Sequence, residues 1–573
     1  MTNVRMVPLG RVYHNEAMMI RPQRTAASQD AIRKPYRFAG WAGGLRVPFF
    51  KGFRPAVALA IMALGCRIAS ASAANIYIAQ NAAGTANGST CANAYAVAFF
   101  NTAANWGSGS TQIGPGTTVH VCGTLTASAG ASGYLTFQGS GVSGSPVTLK
   151  LEAGAIVQAP YWGANGAIYA SGKSYITIDG GTNGLIQATL NGTSGGTCPG
   201  GACQYQQGIG EAIYLTGCNT VEIKNLTIGD LYDHTSISDT IDPGLHNPWG
   251  IGLWGGDSNI TVDNNTIHDV NWAVFVETSS GSPLSNLDFH SNQIYNVSLG
   301  IGGGDGSASA TITGPVNIYN NVIHDMAKWD ANGDVNHHDA VYIWLTNSSS
   351  SFTGPYNVYN NQIYNLGTTC STPIYFDSGA STTYPAASAF NNVIDAGTCG
   401  DGAFYDKSGK MHLYNNTILV GTINSQGGSS PVQMLENNIS GATEGLLFGS
   451  ASASASDYNN WYNLNNPAFT YNNTSYSSLA AFHAATGFEA HSIPSTPSLS
   501  SSSIPNSGSP VIGTGINLTT ICSSQPNPGL GALCYDKAGN ARPATGGWDM
   551  GAYNGQQSTT TPAPPTSLTA TVK

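Results

Sequence analysis

Residues 316–325 read VNIYNNVIHD, and residues 356–365 read YNVYNNQIYN. In both, apolar and polar residues alternate up to a paired Asn, an aliphatic residue follows, and Asp or Asn closes the phrase. Near copies stand at 224–230 (KNLTIGD), 264–269 (NNTIHD), 291–296 (SNQIYN), 391–395 (NNVID) and 415–418 (NNTI). With Asn225, Asn265, Asn292, Asn321, Asn361, Asn392 and Asn416 as the register, the intervals are 40, 27, 29, 40, 31 and 24 residues. An irregular period of this size on strand-like alternation predicts stacked β-coils joined by loops of varying length. One face of each strand enters a core and the other faces out. The recurring Asn belongs at a corner, where its amide tolerates turn backbone and bonds to the Asn above and below. A leucine-rich horseshoe would need regular Leu spacing and helical connectors, and neither is present.

On these repeats the chain resembles the bacterial secreted right-handed parallel β-helix proteins of the pectate-lyase-like superfamily. The repeats span roughly residues 140–450, and VTLKLEAGAIV (147–157) and SYITIDG (174–180) extend them upstream. The resemblance implies an all-β, right-handed parallel β-helix solenoid with an N-terminal helical cap and an irregular C-terminal cap. That fold hosts lyases, hydrolases, adhesins and tailspikes, so activity has to be argued from a site.

The chain has 71 Gly, 9 % charged and 41 % hydrophobic residues, enough for a continuous core in a β-rich extracellular protein. Residues 47–73 read as a signal peptide: Lys51 and Arg54 precede a short apolar run and small-x-small sites near Ala73. Residues 1–46 are then an upstream extension, as an early start codon would produce. The expected organisation continues with an N-terminal cap and first coil at 74–135, the β-helix at 136–450, C-terminal coils and cap at 451–553, and a Thr/Pro linker at 554–573. The linker resembles the start of a fibronectin type III module. CANAYAVAFFNTAAN (91–105) has apolar spacing suited to a short amphipathic helix. A secreted or cell-surface chain keeps its cysteines in an oxidising compartment. Neighbouring coils would pair Cys91 with Cys122 and Cys370 with Cys399, Cys522 could close a loop with Cys534, and Cys198, Cys203 and Cys218 leave one odd thiol.

Without residues 1–73 the chain holds 9 basic and 28 acidic residues, a balance of −19, and Arg542 is its one arginine. That counts against a nucleic-acid or anionic-membrane partner, which needs clustered positive charge. A polysaccharide or oligosaccharide partner and a monomer without membrane insertion are expected. The same deficit counts against a highly charged polyuronate.

Each coil also carries a second strand, including WGIGLWGG (249–256), WAVFVETS (272–279), LGIGGGDG (299–306), HHDAVYIWLTN (337–347), TPIYFDSG (372–379) and GAFYDKSG (402–409). With Ile213, Ile251, Val274, Ile301, Val341 and Ile374 inward, Trp254, Glu277, Trp344 and Asp377 form one outward column, with Asp305 and either Asp406 or Lys407 near its level. Tryptophans stack on sugar faces and carboxylates accept hydroxyl hydrogens. Glu277, Asp305 and Asp377 are therefore the candidate carboxylates of a glycosidase, Glu277 and Asp305 being one coil apart. Trp249, Tyr342, Tyr375 and His246 extend the binding candidates. In NHHD (336–339), His337 or His338 could act as acid or base with Asp339 fixing the tautomer. A polysaccharide lyase with Lys407 as base and calcium as charge neutraliser is the alternative, and a noncatalytic adhesin or sugar-binding protein is the third reading. No cofactor is required, and Asp330 and Asp334 are the residues a calcium ion would use. His268-Asp269 and His324-Asp325 occupy a repeated turn position and read as turn residues.

Overall fold

The computed structural model describes residues 74–190, 210–231, 248–326 and 337–555, with short gaps at 368, 380, 382, 427–432, 450–452 and 526 and with backbone alone at 196–198 and 201–203. The expected upstream extension, signal peptide and most of the linker lie outside the described residues.

Three columns of parallel strands build the chain into a parallel β-helix. The first sheet starts with Asn75–Ala79 on Thr118–Val121 and runs rung by rung to Ala453–Asp457. The second follows each Asn corner, from Thr124–Thr126 on Ile156–Ala159 to Ile439–Ser440 on Asn460–Trp461. The third runs from Leu135–Thr136 on Ile168–Ser171 to Leu446–Phe448 on Phe469–Tyr471. Antiparallel pairing among the described strands is confined to two small hairpins. Coils therefore begin at Asn75, well before residue 136, because the first ones follow the alternation without the paired Asn. Inward Val, Ile, Leu and Phe side chains from all three sheets merge into one continuous core.

The buried corner is a ladder of side-chain amides. Asn361 is typical: its Oδ1 accepts from the backbone N–H and the Nδ2 of Asn321, both at 3.0 Å, and its Nδ2 donates to Ile318 O at 2.9 Å and to Asn392 Oδ1 at 3.0 Å. The same pattern links Asn265, Asn292, Asn321, Asn361, Asn392, Asn416, Asn438 and Asn459. Asn438 and Asn459 extend it beyond the repeats recognised in the sequence. Asn225 is a correction, since it stands in the neighbouring column of left-handed corners (φ 59) with Asn264, Asn320, Asn360, Asn391, Asn415 and Asn437, and Leu226 N–H meets Asn265 Oδ1. Asn is suited there because its short polar side chain tolerates the left-handed region. Asp269, Asn296, Asp325 and Asn365 also take positive φ, at the next corner.

The ladder ends on a carboxyl group. Asn459 N–H donates to Ser492 Oγ at 2.7 Å, and its Nδ2 reaches both oxygens of buried Glu489 at 3.3 Å. Ser456, Ser492 and Trp461 Nε1 also donate to Glu489. Just before it, Leu479–Thr486 forms a helix capped by Ser478 Oγ on Ala481 N–H, and Phe482 stacks on Phe469 of the last third-sheet rung at 4.8 Å.

At the other end the expected helix over 91–105 is broken. Cys91–Asn93, Ala98–Asn101 and Ala103–Asn105 are single turns, because Tyr95–Ala96 pairs as a strand with Ile78 and Ala79. Phe100 still fills the core against Trp106 and Phe137. Disulfides join Cys91–Cys122, Cys370–Cys399 and Cys522–Cys534. Cys218 is a buried thiol whose pKa is pushed to about 11, by burial first and Asp257 second, which leaves it unreactive. The side chains of Cys198 and Cys203 lie outside the described residues.

Two measurements test the ladder. Asn361→Ala orphans groups on both neighbouring coils and should cost about 2–4 kcal/mol, whereas Asn472→Gly in an exposed left-handed turn should leave Tm nearly unchanged; equal, negligible losses would remove the ladder from the stability argument. Burial raises the pKa of Glu489 against the pull of its hydrogen bonds from Ser456, Ser492, Trp461 and Asn459. A carboxyl with a raised folded pKa contributes its stability below its ordinary value, 4.5, and loses it as pH climbs through the folded pKa. The Tm of wild type relative to Glu489→Gln should accordingly fall from about pH 4 to about pH 7, and a rise would reverse the assignment.

Candidate functional site

Alternation along the third sheet places the candidate residues. Ile213, Ile251, Val274, Ile301, Val341 and Ile374 stand in register and are fully buried. Three residues on, Trp254 pairs with Glu277, Glu277 with Gly304, Gly304 with Trp344 and Trp344 with Asp377, so the outward column forms as the pattern requires. Glu277 and Asp377 are three rungs apart, about 14 Å at the usual strand spacing. That exceeds the separation of either class of glycosidase carboxylate pair.

Asp305 is a correction to the sequence reading. It pairs with Thr278, one residue beyond the Glu277–Gly304 rung, so its side chain leaves by the opposite face from Glu277. Its Oδ1 accepts from Thr346 N–H at 2.6 Å and Thr346 Oγ1 at 2.9 Å, and its Oδ2 from Asn347 N–H at 2.9 Å and Asn347 Nδ2 at 3.0 Å. Four donors saturate the carboxylate and make it a clamp on the turn. Asp406 also faces inward, fully buried, accepting from Ser408, Gly409 and Gln433. Lys407 is therefore the residue that reaches the outward level.

The chemistry converges farther along the same face. Tyr342 and Tyr375 stack at 4.3 Å, and Tyr405 follows at 4.9 Å. Trp344 packs on Tyr342 at 4.7 Å and meets Trp272 edge-on at 5.9 Å. Gly304 gives the Trp344 indole its seat, because a Cβ there would lie 2.6 Å from the ring. Lys407 Nζ sits 5.3 Å from the Tyr375 ring centroid, 5.8 Å from that of Tyr405 and 3.8 Å from Asp377 Oδ2. Asp377 also accepts from Tyr342 Oη at 3.2 Å and from Gly379 N–H at 2.7 Å.

His337 closes this cluster. Its ring is 4.8 Å from Tyr342, and its Nδ1 is 3.3 Å from Oδ2 of buried Asp339, whose other oxygen accepts from Thr372 N–H at 3.0 Å. Burial works against protonation of His337, but Asp339, 3.3 Å away, outweighs it and raises the pKa above 6.5. Burial and nearby Asp377 hold the Tyr375 phenol far above its usual range, and burial pushes the Tyr319 phenol on the first sheet to about 12. Tyr375 Oη and Trp272 Nε1 are buried without a hydrogen-bond partner, and the His337–Asp339 contact is an ion-pair approach without good hydrogen-bond alignment. Such a concentration of unsatisfied polar atoms requires an explanation, and a ligand site is one.

The remaining candidates divide. His338 is buried beside His337, and Trp249 is packed face to face on Phe275 at 4.4 Å, so its ring is not an open platform. Trp254 packs edge-on against Phe275 at 5.3 Å and Tyr214 at 5.6 Å. Glu277 stays at the Trp254 end, two rungs from Trp344. His246, Asp330 and Asp334 lie outside the described residues. Sequence reasoning passed over Tyr405 and Trp272, although aligning GAFYDKSG with TPIYFDSG shows tyrosine recurring one coil after Tyr375. Among the described residues no helix is long and apolar enough to cross a membrane.

No family model matches this sequence, and no curated protein does. Among solved structures, the chain is similar to the pectate lyase Pel9A, at 14 % identity and TM-score 0.36 over 84 % of this chain and 97 % of that one. It is also similar to a rhamnogalacturonan lyase, at 13 % identity and TM-score 0.35 over 66 % and 83 %. A third is the A-module of the Azotobacter vinelandii mannuronan C-5 epimerase AlgE4, at 13 % identity and TM-score 0.26 over 59 % and 87 %.

The His337–Asp339 pair makes a direct prediction. In histidine-labelled protein followed by NMR, His337 should titrate above 6.5, and Asp339→Asn should move it down. The pair then contributes stability below that ordinary value and loses it as pH rises through the folded pKa. A His337 pKa at or below 6.5 in wild type would remove Asp339 as its counter-charge.

Proposed function

We propose that the outer face of the third sheet binds an acidic polysaccharide and cleaves it by β-elimination. The observation that carries this is the Lys407, Asp377, Tyr375, His337 and Asp339 cluster, set against the failure of Glu277, Asp305 and Asp377 to form a glycosidase pair. In the reaction the neutral amine of Lys407, its ammonium proton first lost to solvent, removes the proton beside a uronate carboxylate, a carbon–carbon double bond forms as the glycosidic carbon–oxygen bond breaks, and the leaving oxygen takes a proton. Tyr375 is placed for that last role, since its ring lies beside Lys407 and its Oη has no hydrogen-bond partner. His337, whose protonated form Asp339 favours, faces the substrate carboxylate. Three disulfides support a secreted or cell-surface setting.

The test is a digestion panel of polyuronates and neutral polysaccharides with absorbance read at about 235 nm, where the unsaturated product absorbs, and with turnover of Lys407→Ala and Tyr375→Phe expected to fall at least about a hundredfold at unchanged Tm. Reducing ends without that absorbance would restore the glycosidase. Binding without product would leave a noncatalytic sugar-binding protein.

A further inference from the structure

A different face of the solenoid carries a cavity that the third-sheet chemistry leaves unused. It measures about 450 Å³ and lies between Tyr319, Asn320 and Asn360 on the coils and Pro528, Ala532 and Tyr535 on the C-terminal segment. The frame is built. Cys522–Cys534 staples the segment, Asp536 ties its own loop through Ala538 and Asn540, and Lys537 Nζ donates to the Asn360 carbonyl.

The corner amides show what is unusual here. In one column of left-handed corners, Asn437 donates to Ile516 O at 2.8 Å and accepts from its N–H at 2.7 Å. Asn415 donates to Asp549 O at 2.8 Å, and Asn391 donates to Tyr535 O at 2.8 Å while accepting from Arg542 Nη2 at 2.9 Å. Each is thus tied to the returning segment. The next two, Asn360 and Asn320, line the cavity and make no side-chain hydrogen bond among the described residues, and Asn360 Oδ1 is buried without a partner. Turning that carboxamide toward a ligand would relieve the cost of an unsatisfied oxygen.

We infer that this cavity binds a single residue of a neutral saccharide, held by the Asn320 and Asn360 carboxamides and walled by Tyr535. A carboxamide sets a donor beside an acceptor, the arrangement that two adjacent ring hydroxyls satisfy. Two carboxamides one rung apart, about 4.8 Å, offer two such pairs, and the Tyr319 phenol stays protonated as a further donor. The volume falls in the range of small-molecule sites. An anionic sugar would meet the Asp536 carboxylate in the wall, while the neighbouring Lys537 ammonium is directed to a backbone carbonyl. Tyr535, 46 % exposed, supplies an aromatic surface.

The experiment titrates the full chain by NMR with neutral methyl glycosides of glucose, galactose, mannose and N-acetylglucosamine. At least one should bind, and both Asn360→Gly, which keeps the left-handed corner, and Tyr535→Ala should weaken it at least about tenfold without lowering Tm. Lys407→Ala should leave this binding unchanged, which separates it from the third-sheet reading. Absence of binding by every glycoside, binding that survives both cavity variants, or preference for the amide probe N-acetylglycinamide would overturn the inference.

Discussion

The polarity of the buried asparagine ladder is the constraint on which the solenoid depends. From Asn265 to Asn459 every Oδ1 accepts from the coil before it and every Nδ2 donates to the coil after it, so the amide dipoles align head to tail. Such a row concentrates donor character at its last member, as a helix does at its first turn. Glu489 and Ser492 receive those donors. The ladder also explains why coil length can vary while stacking does not. Each rung is held at one corner, and the loops elsewhere bear no register of their own.

Because the interior is filled by the merged core, chemistry is confined to the outer faces. On the third sheet, the outward positions that hold Tyr342, Tyr375 and Tyr405 are continued toward the N-terminal end by Gly302 and Phe275. The glycine rung lowers the floor and lets Trp344 lie across Gly304 toward Trp272. Small residues at 302 and 304 thus set the position of aromatic rings two coils away from Glu277, and the reactive groups gather at the Lys407 end.

The fold was legible because two independent signals, period-two alternation and the corner Asn, agree over most of the chain. Alternation correctly placed Trp254, Glu277, Trp344 and Asp377 in one column, since parallel strands preserve facing from rung to rung. It failed for Asp305 through an offset of one residue, the shift that exchanges the faces of a strand. Asn225 was misread because Asn suits both the ladder and the left-handed corner beside it, for different reasons: hydrogen bonding in one case and backbone tolerance in the other. The His337–Asp339–Tyr375–Lys407 grouping needed three successive coils to be aligned at once, and loops of unequal length conceal that alignment in sequence.

Scarcity of positive charge sharpens the functional argument. Lys173, Lys410 and Lys537 each donate to a backbone carbonyl, Lys224 pairs with Glu222, and buried Arg542 is spent on Asn391 and the carbonyls of Gly551 and Ala552. Lys407 instead stands over two tyrosine rings on an outer face, beside Asp377, while His337 stands beside Asp339. Lys407 and His337 therefore each stand beside one acid, and the face can hold two basic groups without raising the electrostatic cost of the free protein. On the β-elimination reading, an incoming carboxylate competes with Asp339 for His337, and Lys407 gives up its own proton before it acts as base. Recognition is then an exchange of partners within a site that is electrically balanced beforehand, and this is how a chain with a balance of −19 outside residues 1–73 can present an anion-binding surface at all.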